Sequence, residues 1–204
     1  MVMTSDNTAI LFEPITVNAT FSETGTLLTT RSTSSESEIV TRLLALLKAS
    51  PTATALAEFA HKRDLQIGID RHQDRLARLL PAHRMIALNP FRLEHRDPDI
   101  AQGFMALALA HALRDHWQHT HGFAPSPAFH PNDNIRLNRV LNADATALVV
   151  LIAREMKENG VYTPATALRH PRTSLLPAYR ILAKTRKEIP NVMLTGEDVR
   201  DAYL

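Results

Sequence analysis

The sequence predicts a mostly helical α+β domain, and three features of the chain lead to that prediction. Of its 204 residues, 45% are hydrophobic and 22% are charged, which is typical of a globular chain with one hydrophobic core. Two long segments, 97–120 and 134–159, repeat apolar residues at helical spacing. By contrast, only 65–69 and 84–88 have the short apolar character of strands. We therefore expect a small β-element beside two central buried helices.

Composition excludes several classes of function. The six glycines stand alone in the sequence, so no glycine-rich loop is available to hold a phosphate. The chain has no cysteine, which excludes thiol catalysis, thiolate metal ligands and disulfides. A formal charge of +2 gives no reason to expect a nucleic acid partner. No apolar stretch approaches the ~20 residues that cross a bilayer, and the N-terminus lacks the basic start of a secretory signal, so we expect a cytoplasmic protein.

The first 37 residues differ in composition from the rest of the chain. In 16–37, 12 of 22 residues are Ser or Thr, and short alternations there favour either a hairpin or a partly disordered tail. We therefore divide the chain into a Ser/Thr-rich N-terminal arm over 1–37 and a single domain over 38–204.

Helix signals then order the elements of the domain. Glu36 and Glu38 suit the positive end of a helix dipole, Pro51 closes that first helix, and Gly160 suits a left-handed cap at the end of a long one. The two strands follow the second helix, and a proline-rich loop over 123–131 joins the two long helices. The predicted helices cover 34–50, 52–62, 97–120, 134–159, 164–169, 173–187 and 195–203.

Polar residues within the two long helices form the candidate site. His111 lies among apolar positions of the first long helix, and Asp115 is four residues on, which places the two Cβ atoms about 5–6 Å apart. Asp144 lies in the apolar face of the second long helix, where a carboxylate needs a partner because an unpaired buried charge is very costly. If the two helices pack together, these three side chains could meet. Nitrogen and oxygen ligands of this kind suit zinc or another divalent ion.

The same residues have two other interpretations. His111, Asp115 and Asp144 could form a hydrogen-bonded cluster that satisfies its own polar atoms without a metal, or they could fail to meet. Four more histidines lie near the end of the first long helix and in the loop that follows, where we expect solvated surface: His116, His119, His121 and His130.

Two segments of these helices resemble a bacterial family of putative zincin-type metallopeptidases. Residues 110–118, Ala-His-Ala-Leu-Arg-Asp-His-Trp-Gln, resemble its H-E-L-R-H-x-W-Q segment. Residues 138–145, Asn-Arg-Val-Leu-Asn-Ala-Asp-Ala, resemble its N-R-x-x-E-A-D-A segment. In zincins, two His on one helical turn bind zinc, and the Glu between them deprotonates the bound water. The resemblance covers about residues 85–160 and implies a zincin-like fold.

The resemblance also implies that the site is degenerate. His111 matches the first zinc ligand, and Asp144 matches the Asp of the second segment. Ala112 replaces the general-base Glu, Asp115 replaces the second His, and Asn142 replaces the Glu of the second segment. An Ala cannot accept a proton, and general-base catalysis contributes about 10²–10⁴-fold, so we expect no peptidase activity. By the same resemblance, the site is lined by Ala112, Arg114, Trp117, Gln118, Asn138, Arg139 and Asn142.

Three functions are compatible with these observations. The first is a catalytically degenerate metallopeptidase-like protein that serves as a binding or regulatory module for a peptide or protein. The second is a metal-dependent hydrolase that holds zinc or another divalent metal at His111, Asp115 and Asp144. The third is a helical module that binds an acidic partner through 169–187, a segment with six Lys or Arg and no Asp or Glu. For that segment we expect a solvated helix face, since only Tyr179 offers stacking to a base.

Overall fold

The computed structural model of the chain describes residues 34–169, and all elements below lie within that range. The helices described there are α1 (Ser34–Leu47), α2 (Pro51–His61), α3 (Pro98–Thr120), α4 (Pro131–Glu158) and α5 (Thr163–Arg169). The strands are β1 (Gln66–Ile69), β2 (Ala77–Leu80) and β3 (Met85–Leu88). The prediction of a mostly helical α+β protein with a small β-element is confirmed.

The turn between α1 and α2 is fixed by a carboxylate from α4. Ser50 caps α2, because its hydroxyl oxygen accepts a hydrogen bond from the N–H of Ala53 at 3.0 Å. The same hydroxyl donates to Glu155 of α4 at 2.5 Å. Glu155 also accepts from the backbone N–H of Thr52 at 3.1 Å and from its hydroxyl at 2.7 Å. A negative side chain at the N-terminus of α2 also complements the helix dipole, so Glu155 joins α2 firmly to α4.

The three strands form one sheet in the order β1-β3-β2. β1 runs parallel to β3, and β2 runs antiparallel to β3. β3 is therefore the central strand, and its residues Ile86, Ala87 and Leu88 are all buried. β2 is an edge strand, and α3 packs against it.

α3 is the central helix of the part of the chain that the structure describes. It contacts α1, α2, α4, α5 and β2, and its buried residues lie on every side, with Leu109 and Leu113 fully buried. Gly103 lets α5 approach closely, because a Cβ at this position would overlap the backbone carbonyl of Thr163. α4 is buried mainly in its second half, since its buried residues run from Ala145 to Met156.

The structure extends the prediction at two places. The predicted strands 65–69 and 84–88 match β1 and β3 closely, but β2 was not predicted. Its sequence, Ala-Arg-Leu-Leu, contains no β-branched residue and no clear alternation, so its extended form is set by pairing with β3. α4 begins at Pro131 rather than 134, because proline suits the first helical position and His130 caps the helix.

Some predicted segments lie outside the described residues. These are 1–33 of the predicted N-terminal arm and the predicted helices 173–187 and 195–203. The last four residues of the predicted arm, 34–37, belong to α1. Across 34–169, no helix combines the length and the apolar character needed to cross a membrane.

Candidate functional site

A cleft of about 810 Å³ lies between β2, α3 and α4. Its β2 side is lined by the five consecutive residues 75–79. Of these, 77–79 belong to β2, and because successive side chains of a strand point to opposite faces, a cleft that touches three strand residues in a row runs along the edge of the strand. The other sides come from α3, α4 and the loop after α3, and their polar and aromatic residues are His111, Asp115, Gln118, His119, Phe123, Asn138 and Asn142.

The outer edge of β2, which pairs with no other strand among residues 34–169, presents backbone hydrogen-bonding groups to this cleft. The N–H of Asn89, just after β3, donates to the carbonyl of Leu76 at 2.9 Å, so Leu76 directs its backbone groups towards β3. Backbone groups alternate in direction along a strand, and Arg78, which pairs with Ala87, therefore also faces β3. The intervening residues of β2 direct their N–H and C=O groups away from β3, to the outer edge. These residues are Ala77 and Leu79.

His111 links α3 to α4 at the cleft. Its Nδ1 lies 3.2 Å from Oδ2 of Asp115, and its Nε2 lies 3.1 Å from Oδ1 of Asn142. A carboxylate oxygen and an amide oxygen both accept hydrogen bonds, so a protonated imidazole satisfies both contacts by donating from each ring nitrogen. The predicted pair His111 and Asp115 is therefore brought together, and Asn142 joins it. All three positions were singled out by the family resemblance, two of them as replacements.

The surroundings of His111 favour its charged form. Burial alone would lower its pKa, but the hydrogen bond to Asp115, the negative charge of Asp115 and the hydrogen bond to Asn142 together outweigh burial. The positive charge of Arg75 opposes them weakly. The net result is a pKa raised above the usual histidine value of about 6.5. A protonated imidazole has no lone pair for a metal, so this environment works against metal ligation.

Asp144 does not join His111 and Asp115. Its Oδ2 accepts from Nε of Arg114 at 2.7 Å and from Nε2 of Gln118 at 2.7 Å. The same Nε2 of Gln118 donates to the carbonyl of Leu141 at 3.0 Å, which uses both of its hydrogens. Positions 142 and 144 differ by about 200° around the axis of a helix. Because Asn142 faces His111, Asp144 lies on another side of α4. The partner that this carboxylate was expected to need is therefore Arg114, with Gln118.

These side chains do not fit a zinc centre as they stand. Within residues 34–169, no group of three or more His, Asp or Glu side chains is close enough together to hold a metal ion. Both nitrogens of His111 already face oxygen acceptors, and the guanidinium of Arg114 places a positive charge beside Asp144. A divalent ion would have to displace these contacts and would meet that charge.

The remaining residues from the resemblance lie in different places. Ala112, at the general-base position, is only 2% exposed within the hydrophobic core and does not line the cleft. Asn138 lines the cleft, whereas Arg139 is exposed on α4 outside its lining. Trp117 lies at the edge of the core, with the guanidinium of Arg114 stacked 4.1 Å from its ring centre.

Aromatic rings stack beside Trp117 at the end of α3. His121 stacks on Trp117 with ring centres 4.0 Å apart, and it also stacks on Phe59 with ring centres 5.3 Å apart. His116 packs edge-on against Phe59 and is buried, so the expectation of solvated surface is wrong for this histidine. Burial, with the positive charges of Arg63 and His119, lowers the pKa of His116. His116 is buried because α2 packs against this side of α3. His119, His121 and His130 are exposed, as predicted.

Sequence reasoning missed the β2 side of the cleft. Arg75 and Arg78 line it, and both are exposed. No local pattern marked this segment, because its role depends on pairing with β3 and on packing against α3.

A comparison with family models identifies the family of the chain. Residues 22–187 match the family described as "Putative metallopeptidase family (DUF6782)", which is most of the sequence. The chain therefore belongs to this metallopeptidase-like family. Searches of curated proteins and of solved structures found no match.

Proposed function

We propose that the protein is a catalytically degenerate, zincin-like member of its family that binds an extended peptide in the cleft without cutting it. The observation that carries this proposal is the outer edge of β2, which no described strand pairs with and which lines the same cleft as His111, Asp115 and Asn142. An edge strand can bind a peptide by adding it to the sheet as a further strand. The cleft therefore offers a binding surface beside a site that lacks catalytic groups.

The loss of catalysis follows from the chemistry of the site. Ala112 cannot act as a general base, and it is only 2% exposed and does not line the cleft. Among the described residues that line the cleft, Asp115 is the one carboxylate, and it is paired with His111. Because Oδ2 of Asp115 lies 3.2 Å from Nδ1 of His111, this carboxylate is already engaged and is poorly placed to accept a proton from a bound water.

A metal-dependent hydrolase with His111, Asp115 and Asp144 as ligands is the alternative. It would require Asp144 to leave Arg114 and Gln118 and turn towards His111. The other alternative, an acidic partner bound by 169–187, concerns a segment that lies almost wholly outside the described residues. No observation on the described residues favours either one over peptide binding.

The experiment that tests peptide binding replaces one outward-facing N–H of β2. Ala77→Pro removes this N–H without removing a hydrogen bond between β2 and β3, and proline is tolerated on an edge strand. Ala77→Val is the matched control, since it keeps the N–H at similar size. The probes are three fluorescent ten-residue peptides, identical except that positions 4 and 7 carry Glu, Gln or Lys, and binding is followed by fluorescence anisotropy.

We expect at least one of these peptides to bind the wild-type protein and Ala77→Val. Ala77→Pro should weaken that binding by about tenfold, because one hydrogen bond is lost and its acceptor on the peptide is left unsatisfied. Thermal unfolding of each variant checks that the fold is intact. Equal binding by Ala77→Pro and the wild type, or no binding of any peptide, would overturn the proposal.

A further inference from the structure

The β2 side of the cleft carries two positive charges that have no partner among the described residues. Arg75 and Arg78 both line the cleft and both are exposed. Within 34–169, neither forms an ion pair, whereas Arg42, Arg71, Arg114 and Arg154 each pair with a carboxylate. Two guanidinium groups are therefore available to a molecule in the cleft.

The opposite side of the cleft does not neutralise them. Asp115 is the single carboxylate among the described lining residues, and it lies 3.2 Å from His111. The charge of Arg75 opposes protonation of His111, so this guanidinium acts electrostatically on the interior of the cleft and not only on its rim. The described lining of the cleft therefore carries a net positive charge.

Building on the proposed function, we infer that the cleft selects an acidic peptide, with carboxylate side chains that contact Arg75 and Arg78. A guanidinium donates two parallel hydrogen bonds to a carboxylate, which makes arginine well suited to this contact. Pairing of the peptide with Ala77 and Leu79 would hold its backbone beside both arginines. The two arginines select for acidic side chains in the peptide, and backbone pairing with the edge of β2 supplies binding that does not depend on the peptide sequence.

The spacing of the two arginines defines the spacing of the acidic residues. Arg78 lies in β2, and Arg75 lies in the bend just before it, three positions earlier in the sequence. Two carboxylates three residues apart on an extended peptide are about 10 Å apart, so each can face one of the two arginines. This is the spacing of the variable positions in the three peptides described above.

The test measures all three peptides against the wild type, the double variant Arg75→Gln with Arg78→Gln, and the control Arg92→Gln. Arg92 is exposed and does not line the cleft, so its substitution removes one positive charge outside the cleft. We expect the wild type and Arg92→Gln to bind the Glu peptide about tenfold more tightly than the Gln peptide, and the Lys peptide least. The double variant should lose this preference. The preference should also shrink as salt is added.

The outcomes separate this inference from the proposed function. If all three peptides bind equally and Ala77→Pro weakens them all, the cleft binds peptides without regard to charge, and the inference is wrong while the proposed function stands. If the double variant keeps the preference for Glu, other groups select the peptide, and the inference is also wrong. If none of the peptides binds, both fail.

Discussion

Asp144→Ala distinguishes a structural carboxylate from a metal ligand. The substitution removes two hydrogen bonds, from Arg114 and Gln118, each 2.7 Å long. Hydrogen bonds to charged groups contribute about 1.5–3 kcal/mol each to stability, but the Asp144 side chain is 35% exposed and water weakens its ion pair. Arg114 also keeps its stacking on Trp117. We therefore expect a loss of about 2 kcal/mol in the free energy of unfolding, which is less than the roughly 3–6 kcal/mol to which two such hydrogen bonds would sum.

Urea denaturation measures this loss as a fall in the midpoint concentration at unchanged slope. Asp74→Ala is the control, since Asp74 is an exposed carboxylate and such surface changes usually cost less than about 0.5 kcal/mol. Added zinc should leave the midpoint of the wild type unchanged. The reasoning would be refuted by an Asp144→Ala variant as stable as the wild type, together with a wild type that zinc stabilises and a variant that it does not.

Two further predictions concern the packing of α3 and its link to α4. Gly103→Ala should destabilise the protein by about 1–3 kcal/mol, although alanine is the better helix former. The reason is that the added Cβ would overlap the Thr163 carbonyl and lie 3.0 Å from Ala167 Cβ. A Tm equal to or above that of the wild type would contradict this prediction. Because the pKa of His111 is raised in the folded state, its stabilising contribution is complete below about pH 6.5 and is lost as the pH rises through the folded-state pKa. The difference in unfolding free energy between the wild type and His111→Gln should therefore be larger at pH 5.5 than at pH 8.5, and a difference that grows with pH would contradict the assignment.

Helical periodicity predicted the parts of the fold that depend on local sequence. The predicted helix 97–120 matches α3 (Pro98–Thr120) because Asp97 caps it and apolar residues repeat along it. The spacing of four residues also predicted the contact between His111 and Asp115. These features need no knowledge of what packs against the helix.

Contacts between distant segments could not be predicted in this way. The position of Asp144 in an apolar face indicated that it needs a partner, but only the packing of α4 against α3 identifies Arg114 as that partner. Asn142 was marked by the resemblance as a replaced residue, and its contact with His111 depends on the same packing. β2 has weak strand character of its own, so its place at the sheet edge, and hence one side of the cleft, emerged only from pairing with β3.

Amide hydrogen exchange on the peptide complex tests the central claim most directly. The N–H groups of Ala77 and Leu79 face the cleft, whereas that of Arg78 faces β3 and serves as an internal control. Strand addition predicts that bound peptide slows exchange at Ala77 and Leu79 and leaves Arg78 nearly unchanged. A peptide that binds while exchange at Ala77 and Leu79 stays the same would show that the edge of β2 is not the binding surface.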